Sequence, residues 1–132
     1  YGGVIAKFTR AALANEPLYI YGDGSQERDY MNVKDAVAGY ILLTDTQNYG
    51  NVVNVGSGKT IQIKELAQMI VRLAKSQSKI INIDPRPGEV TRLCADITKA
   101  KSMGFIPVTD FEKDLAEYVK FYAENVSNNR GR

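Results

Sequence analysis

Short β-branched runs alternate with apolar stripes of helical period along this chain, and that alternation limits the fold more than any other feature. Val4, Ile5, Phe8, Ala11 and Ala12 repeat at three and four, predicting a helix that ends near Asn15 because Pro17 cannot continue it. Leu18 to Tyr21 then reads as a short strand, Gly22-Asp23-Gly24 as a turn, and Arg28 to Val33 as a second extended segment. Val33, Ala36, Val37, Tyr40, Ile41 and Thr44 predict an amphipathic helix capped by Asn32 and closed by Gly50. Val52, Val53 and Val55 predict a further strand.

The pattern repeats in the second half. Ile63, Leu66, Ala67, Ile70, Leu73 and Ala74 mark a helix with Glu65 in its first turn, where the macrodipole favours an acid. Ile80, Ile81 and Ile83 predict a strand ended by Pro85 and Pro87. Asp96 is placed to cap a short helix stopping at Gly104, and Thr109-Asp110-Phe111-Glu112 reads as a capping box opening a last helix. Phe111, Leu115, Tyr118, Val119 and Tyr122 are expected on its inner face. Interleaved strands and helices without repeats or a linker give an α/β class, as a small α+β-like domain. We expect residues 1–127 to form it and 128–132 to be a disordered tail.

Two stretches carry chemistry. Tyr21-Gly22-Asp23-Gly24 leads to Arg28, and far downstream stands Arg86-Pro87-Gly88-Glu89. Two guanidiniums converging on one spot suit a diphosphate, because each planar fork holds a pair of anionic oxygens. Each charge-assisted contact is worth about 1.5–3 kcal/mol, so losing either arginine should weaken binding more than tenfold. Pro85 and Pro87 stiffen the backbone around Arg86, whereas Arg28 lies between Glu27 and Asp29 and equally fits a surface ion pair. Glu89 either accepts from a ribose hydroxyl or neutralises Arg92. Tyr21 either stacks on a base or fills the core beside Tyr19, and Lys7 equally fits a solvated lysine. Together these residues read as a nucleotide-sugar pocket.

Two other motifs resemble catalytic signatures and fail on spacing. Gly56-Ser57-Gly58-Lys59-Thr60 ends like a P-loop, but Val53 stands where the first glycine belongs, and Ile61-Gln62-Ile63 separate it from the helix. Ile61 also occupies the third-glycine place of a dinucleotide fingerprint. Tyr30-Met31-Asn32-Val33-Lys34 matches Tyr-x-x-x-Lys, yet Tyr30 lies in an extended segment, so the pair cannot share a helix face.

Composition removes further classes. The chain has 132 residues, 44% hydrophobic and 24% charged, and a net charge of +2, too small to imply a nucleic-acid or membrane surface. There is no histidine, which removes imidazole acid–base catalysis and the commonest nitrogen metal ligand. The single cysteine, Cys94, reads as a buried structural thiol. Lacking a signal peptide or a membrane-length apolar run, the chain is expected to be cytoplasmic. It starts at Tyr1 and runs straight into helical pattern, the expectation for a piece of a longer protein.

The quoted residues resemble the C-terminal half of the extended short-chain dehydrogenases, the NAD-dependent epimerase/dehydratase family of nucleotide-sugar enzymes, most like its UDP-glucose 4-epimerases. Val4-Ile5-Ala6-Lys7-Phe8, Tyr21-Gly22-Asp23-Gly24, Arg28-Asp29-Tyr30 with Val33 and Asp35, Asn54-Val55-Gly56-Ser57-Gly58, and Arg86-Pro87-Gly88-Glu89 carry the likeness. Asp96, Lys99-Ala100, Gly104 and Pro107 complete it. Ala6 and Gly3 depart from the family's prolines, and Gln62 stands where a capping serine is usual.

The resemblance implies that Arg28 and Arg86 contact the diphosphate and that the Val4 backbone lies near it. It implies that Tyr21 and the Tyr19 backbone flank the base, and that Glu89 replaces an aspartate holding the ribose. It further implies a UDP- or dTDP-sugar as ligand, NAD in the full-length enzyme but none bound by this chain, and an N-terminal Rossmann domain as partner. The Rossmann half and the catalytic residues are not in this chain, so no catalytic residue is expected here and no turnover by it alone. Exposure of the surface that packs on the Rossmann half would permit a homo-oligomer. No nucleic acid, membrane or metal partner is expected.

Overall fold

The computed structural model describes residues 3–45, 50–108 and 110–129. Helix α1 (Val4–Leu13) ends at Asn15, whose φ of 54° turns the chain into strand β1 (Leu18–Tyr21). Strand β2 (Glu27–Arg28) is followed by α2 (Val33–Asp45), β3 (Ile61–Gln62), α3 (Ile63–Leu73) and β4 (Ile80–Ile83). Strand β5 (Arg92–Leu93), α4 (Thr98–Ser102) and α5 (Phe111–Asn129) complete the order. This is the mixed α/β class expected. No described helix is long and apolar enough to cross a membrane.

The strands form two small sheets. Parallel β1 and β4 pair Leu18 with Ile80 through to Tyr21 with Ile83. In the other sheet β2 lies centrally, antiparallel to β3 and parallel to β5. Leu18 and Ile20 of β1 point inward and join Phe8 and Ala12 of α1, Leu66, Ala67 and Ile70 of α3, and Leu115 of α5 in the main core. Tyr19 and Tyr21 therefore point to the opposite, open face, as strand periodicity requires. A smaller core gathers Ile97, Ala100 and Phe105, with Val53 and Val55 against it.

Caps follow the sequence. The Asn32 side chain accepts from Lys34 N at 2.8 Å and starts α2, and Asp96 accepts from Thr98 N at 3.0 Å before α4. Gln62 N donates to Glu65 at 3.2 Å at the head of α3. Asp110 accepts from Lys113 N at 2.9 Å at the head of α5, while Thr109 of the expected capping box lies outside the described residues. Of the expected tail, Asn128 and Asn129 continue the backbone of α5, and 130–132 lie outside the described residues.

Four expectations are corrected. Val52, Val53 and Val55 form no strand; Val53 and Val55 serve as packing side chains, while Val52 is 88% exposed. The extended segment predicted from Arg28 to Val33 pairs as a strand only over Glu27–Arg28, since the chain beyond turns to place Asn32 as a cap. Most of the apolar stripe of α2 faces outward: Val33, Val37, Tyr40 and Ile41 are at least half exposed. The helix docks instead through Gly39, where a Cβ would come within 2.8 Å of Val55 Cγ1, and through buried Asp35, which accepts from Val108 N at 3.1 Å. Cys94 is partly rather than fully buried.

Candidate functional site: a cleft at the ends of two parallel strands

Parallel pairing brings the chain out of β1 and β4 at one edge, which is where α/β architectures present ligands. Gly22 N donates to Ile83 O at 2.8 Å, and Asn82 Nδ2 donates to Gly22 O at 2.6 Å, locking the two exits together. Gly22 and Gly24 have φ of 65° and 76°, conformations that side chains resist. A Cβ on Gly24 would come within 2.9 Å of Lys64 Cβ, so this turn also needs the space.

The second loop is built by Arg86-Pro87-Gly88-Glu89. Glu89 N donates to Arg86 O at 3.3 Å, with proline second and Gly88 third at a φ of 72°, the pattern of a type II turn. The turn sets Arg86 and Glu89 side by side. Arg86 lies over the Tyr21 ring with its guanidinium carbon 3.8 Å from the centroid, a cation–π contact. The Arg86 guanidinium lowers the Tyr21 phenol pKa, first by hydrogen bonding and then by its charge.

Arg28 reaches the same space from β2. Its Nη1 donates to its neighbour's Glu27 carbonyl at 2.8 Å, and its Nη2 stands 3.5 Å from Glu89 Oε1. The flanking acids are engaged elsewhere. Glu27 accepts from Thr60 Oγ1 at 2.8 Å and Arg92 Nε at 2.9 Å, which also disposes of the Glu89–Arg92 alternative. Asp29 is taken up by the Gly56–Lys59 turn: its carboxylate accepts from Ser57 N at 3.0 Å, Gly58 N at 3.1 Å and Ala95 N at 3.1 Å. The P-loop-like turn thus already holds an internal carboxylate where a phosphate would sit, and its glycines serve packing. Gly56 has no room for a side chain, since a Cβ would lie 2.5 Å from Ala95 Cβ.

Val4, Tyr19, Tyr21, Arg28, Arg86 and Glu89 all line one cleft of about 750 Å³. Gly3, Val4 and Lys7 bring the amino end of α1 into its wall, and no acid stands in that helix's first turn. The helix dipole, Lys7 and two arginines therefore face one space, whose wall also carries Glu16, Asp29 and Glu89. Arg28 and Arg86, 58 residues apart in the chain, both line this cleft.

Sequence reasoning missed Gln26, which also lines the cleft. Its Nε2 donates to Tyr21 O at 2.6 Å and to Glu89 Oε2 at 3.1 Å, while its Oε1 is buried without a partner among the described residues. The available signal was period: Gln26 and Arg28 are two apart in an extended segment and so share a face. Tyr30 also reaches the wall, stacked on Phe111 with centroids 5.6 Å apart, and burial raises its phenol pKa. It precedes α2, so Tyr30 and Lys34 form no helical pair. Among the described residues no group of three or more His, Cys, Asp and Glu side chains is placed to hold a metal.

Similarity to known proteins agrees with this geometry. The chain is 37% identical over 131 residues to the UDP-N-acetyl-alpha-D-glucosaminuronate decarboxylase of Bacillus cytotoxicus, covering 94% of this chain and 41% of that protein. Its fold matches the UDP-glucose 4-epimerase of Thermotoga maritima, solved with UDP-glucose, at a TM-score of 0.88 and 30% identity, over 96% of this chain and 41% of that one. The UDP-glucuronic acid 4-epimerase of Bacillus cereus, solved with UDP-glucuronic acid and NAD, matches at 0.81 and 25% identity, over 91% of this chain and 40% of that one. The chain thus spans about two-fifths of the length of the relatives it matches. The family model described as GDP-mannose 4,6 dehydratase matches residues 3–118. The chain belongs to that family, among the NAD-dependent nucleotide-sugar epimerases and dehydratases of the extended short-chain dehydrogenases, and corresponds to their C-terminal part.

Proposed function

We propose that the cleft binds the nucleoside diphosphate of a UDP- or dTDP-sugar, as the substrate-binding part of an NAD-dependent enzyme most like UDP-glucose 4-epimerase. Arg28, Arg86 and the amino end of α1 surround the diphosphate. Tyr21 and the Tyr19 backbone flank the base, and Glu89 accepts from the ribose. The observation that carries this reading is that six residues from four separated segments, two arginines among them, line one cleft. In the longer enzyme a hydride passes from the sugar to NAD⁺ and returns, giving an inverted or dehydrated sugar. This chain contributes binding energy that anchors the sugar against the nicotinamide, and no catalytic group.

Calorimetric titration with UDP, dTDP and UDP-glucose tests the reading. Arg28→Ala and Arg86→Ala should each weaken binding more than tenfold. Binding that survives both substitutions sinks it. With NAD⁺ and UDP-glucose the chain alone should form no NADH and no epimerised sugar, and steady turnover would show that it carries chemistry of its own.

A second reading is favoured by α2. Val33, Val37, Tyr40 and Ile41 form an exposed stripe about two turns long on a helix whose other face is docked. In the longer enzyme this stripe packs on the nucleotide-binding domain, and in the isolated chain it drives self-association.

A further inference from the structure

We infer that Gln26 is a positioning residue, holding the Glu89 carboxylate back so that Arg28 stays available to an anionic ligand. The inference rests on the reading of the cleft as a nucleotide-sugar site and deepens it. Gln26 is only 9% exposed, and its side chain joins three segments: its own approach to β2, the Tyr21 carbonyl at the end of β1, and Glu89 at the end of the type II turn. Both partners of Nε2 accept only, so the amide orientation is fixed by chemistry.

The Glu89 carboxylate is thereby shared. Oε2 takes the Gln26 amide at 3.1 Å, and Oε1 faces Arg28 Nη2 at 3.5 Å, a long one-point contact. A free carboxylate beside a guanidinium closes to a two-point pair with shorter bonds. Gln26 occupies the oxygen that such a pair needs. Removing the amide lets Glu89 close on Arg28 and neutralise the fork meant for the diphosphate. The remaining amide oxygen argues for function over stability. Gln26 Oε1 is buried and finds no donor among the described residues, a cost that an apolar side chain of the same length escapes. A glutamine kept there at that cost is explained by what its nitrogen does.

The decisive variant is Gln26→Met, which keeps length and packing and removes both donors. Its affinities for UDP and for inorganic pyrophosphate should fall about tenfold, while loss of the bond to the Tyr21 carbonyl should lower its thermal midpoint only slightly. In a Glu89→Gln background, where no carboxylate is left to restrain, Gln26→Met should change pyrophosphate affinity less than about twofold. A purely structural role predicts the same affinity loss in both backgrounds, and that result overturns the inference. Gln26→Glu, equal in shape and without the donors, should lose affinity at least as far. A readout independent of ligand is amide hydrogen exchange at Glu89, which should change several-fold in Gln26→Met as its carboxylate passes from Gln26 to Arg28. Should the parent bind neither UDP nor pyrophosphate, the reading of the cleft fails, and exchange alone decides: an unchanged Glu89 amide overturns the role of Gln26.

Discussion

Arg28 and Glu89, 61 residues apart in the chain, face each other across the cleft with Nη2 3.5 Å from Oε1. Both side chains are about a quarter exposed, so the pair is weak, of the order of 1 kcal/mol. On the proposed reading, an entering diphosphate would displace it and free the carboxylate to meet the ribose. Glu89→Gln should accordingly tighten inorganic pyrophosphate about two- to fivefold. UDP should gain less or lose affinity, because its ribose loses a charged acceptor. Titration of both ligands against parent and variant gives the ratio, and equal gains for both would remove Glu89 from the ribose.

Tyr21 and Arg86 form the other contact that shapes the cleft. If the stack aims Arg86, Tyr21→Ala should lower UDP affinity about three- to tenfold, whereas Tyr21→Phe, which keeps a ring face, should change it less than twofold. The Tyr21 phenol pKa lies below its ordinary value because of Arg86. Arg86→Ala should therefore shift the Tyr21 phenol to higher pH in an alkaline absorbance titration, with Tyr21→Phe identifying its signal.

Asp29 is expected to govern stability more than binding. Three backbone N–H groups from two separate segments converge on its carboxylate. Asp29→Ala removes charge-assisted bonds and strands their donors, which should cost about 3–5 kcal/mol and lower the urea midpoint accordingly. Gly56→Ala forces a Cβ against Ala95 and Asp29 and should cost about 1–3 kcal/mol. An Asp29→Ala variant as stable as the parent would show that the turn holds itself.

Much of this was legible from residue order, for reasons the structure makes plain. The stripes of α1, α3 and α5 bury where the period places them, because each packs against the others around Leu66 and Ile70. Arg86 was legible because two prolines and a glycine dictate its turn. The face of α2 was not. An apolar stripe predicts burial, yet Gly39 and Asp35 make the contacts, and no periodicity announces a glycine chosen for close approach. The partners of Glu27, Asp29 and Glu89 were equally hidden, since β5 returns beside β2 in a register that only the tertiary fold sets. Gln26 escaped notice because an uncharged amide next to two acids and an arginine carries no charge signal.

Acid should destabilise the chain through specific carboxylates. Glu27 is held below its ordinary value of 4.5 first by the Thr60 hydroxyl and then by Arg92. Asp23 and Asp96 are lowered by Ser25 and Thr98. A carboxyl whose folded-state pKa is depressed stabilises above its unfolded-state pKa, and that contribution disappears as pH falls through the folded-state value. Stability by urea titration should therefore decline below about pH 4.5. The decline should be shallower in Glu27→Gln, which has no proton to take up at that position. A parent and variant with identical acid slopes would leave Glu27 without a role in it.

The exposed stripe of α2 separates association from folding. Val37, Tyr40 and Ile41 are 50%, 69% and 63% exposed, so replacing them removes little buried contact. Val37→Ser, Tyr40→Ser and Ile41→Ser should each shift stability by about 0.5 kcal/mol or less, apart from the small helix-propensity cost of serine. Sedimentation over a range of concentrations should show the parent self-associating and the triple variant monomeric. In the longer enzyme the same three substitutions should loosen the contact with the nucleotide-binding domain, lowering activity while leaving UDP affinity of this part intact. That split distinguishes a packing face from a binding residue. A parent that stays monomeric at every concentration rules out self-association, and a longer enzyme indifferent to the triple variant rules out the domain contact.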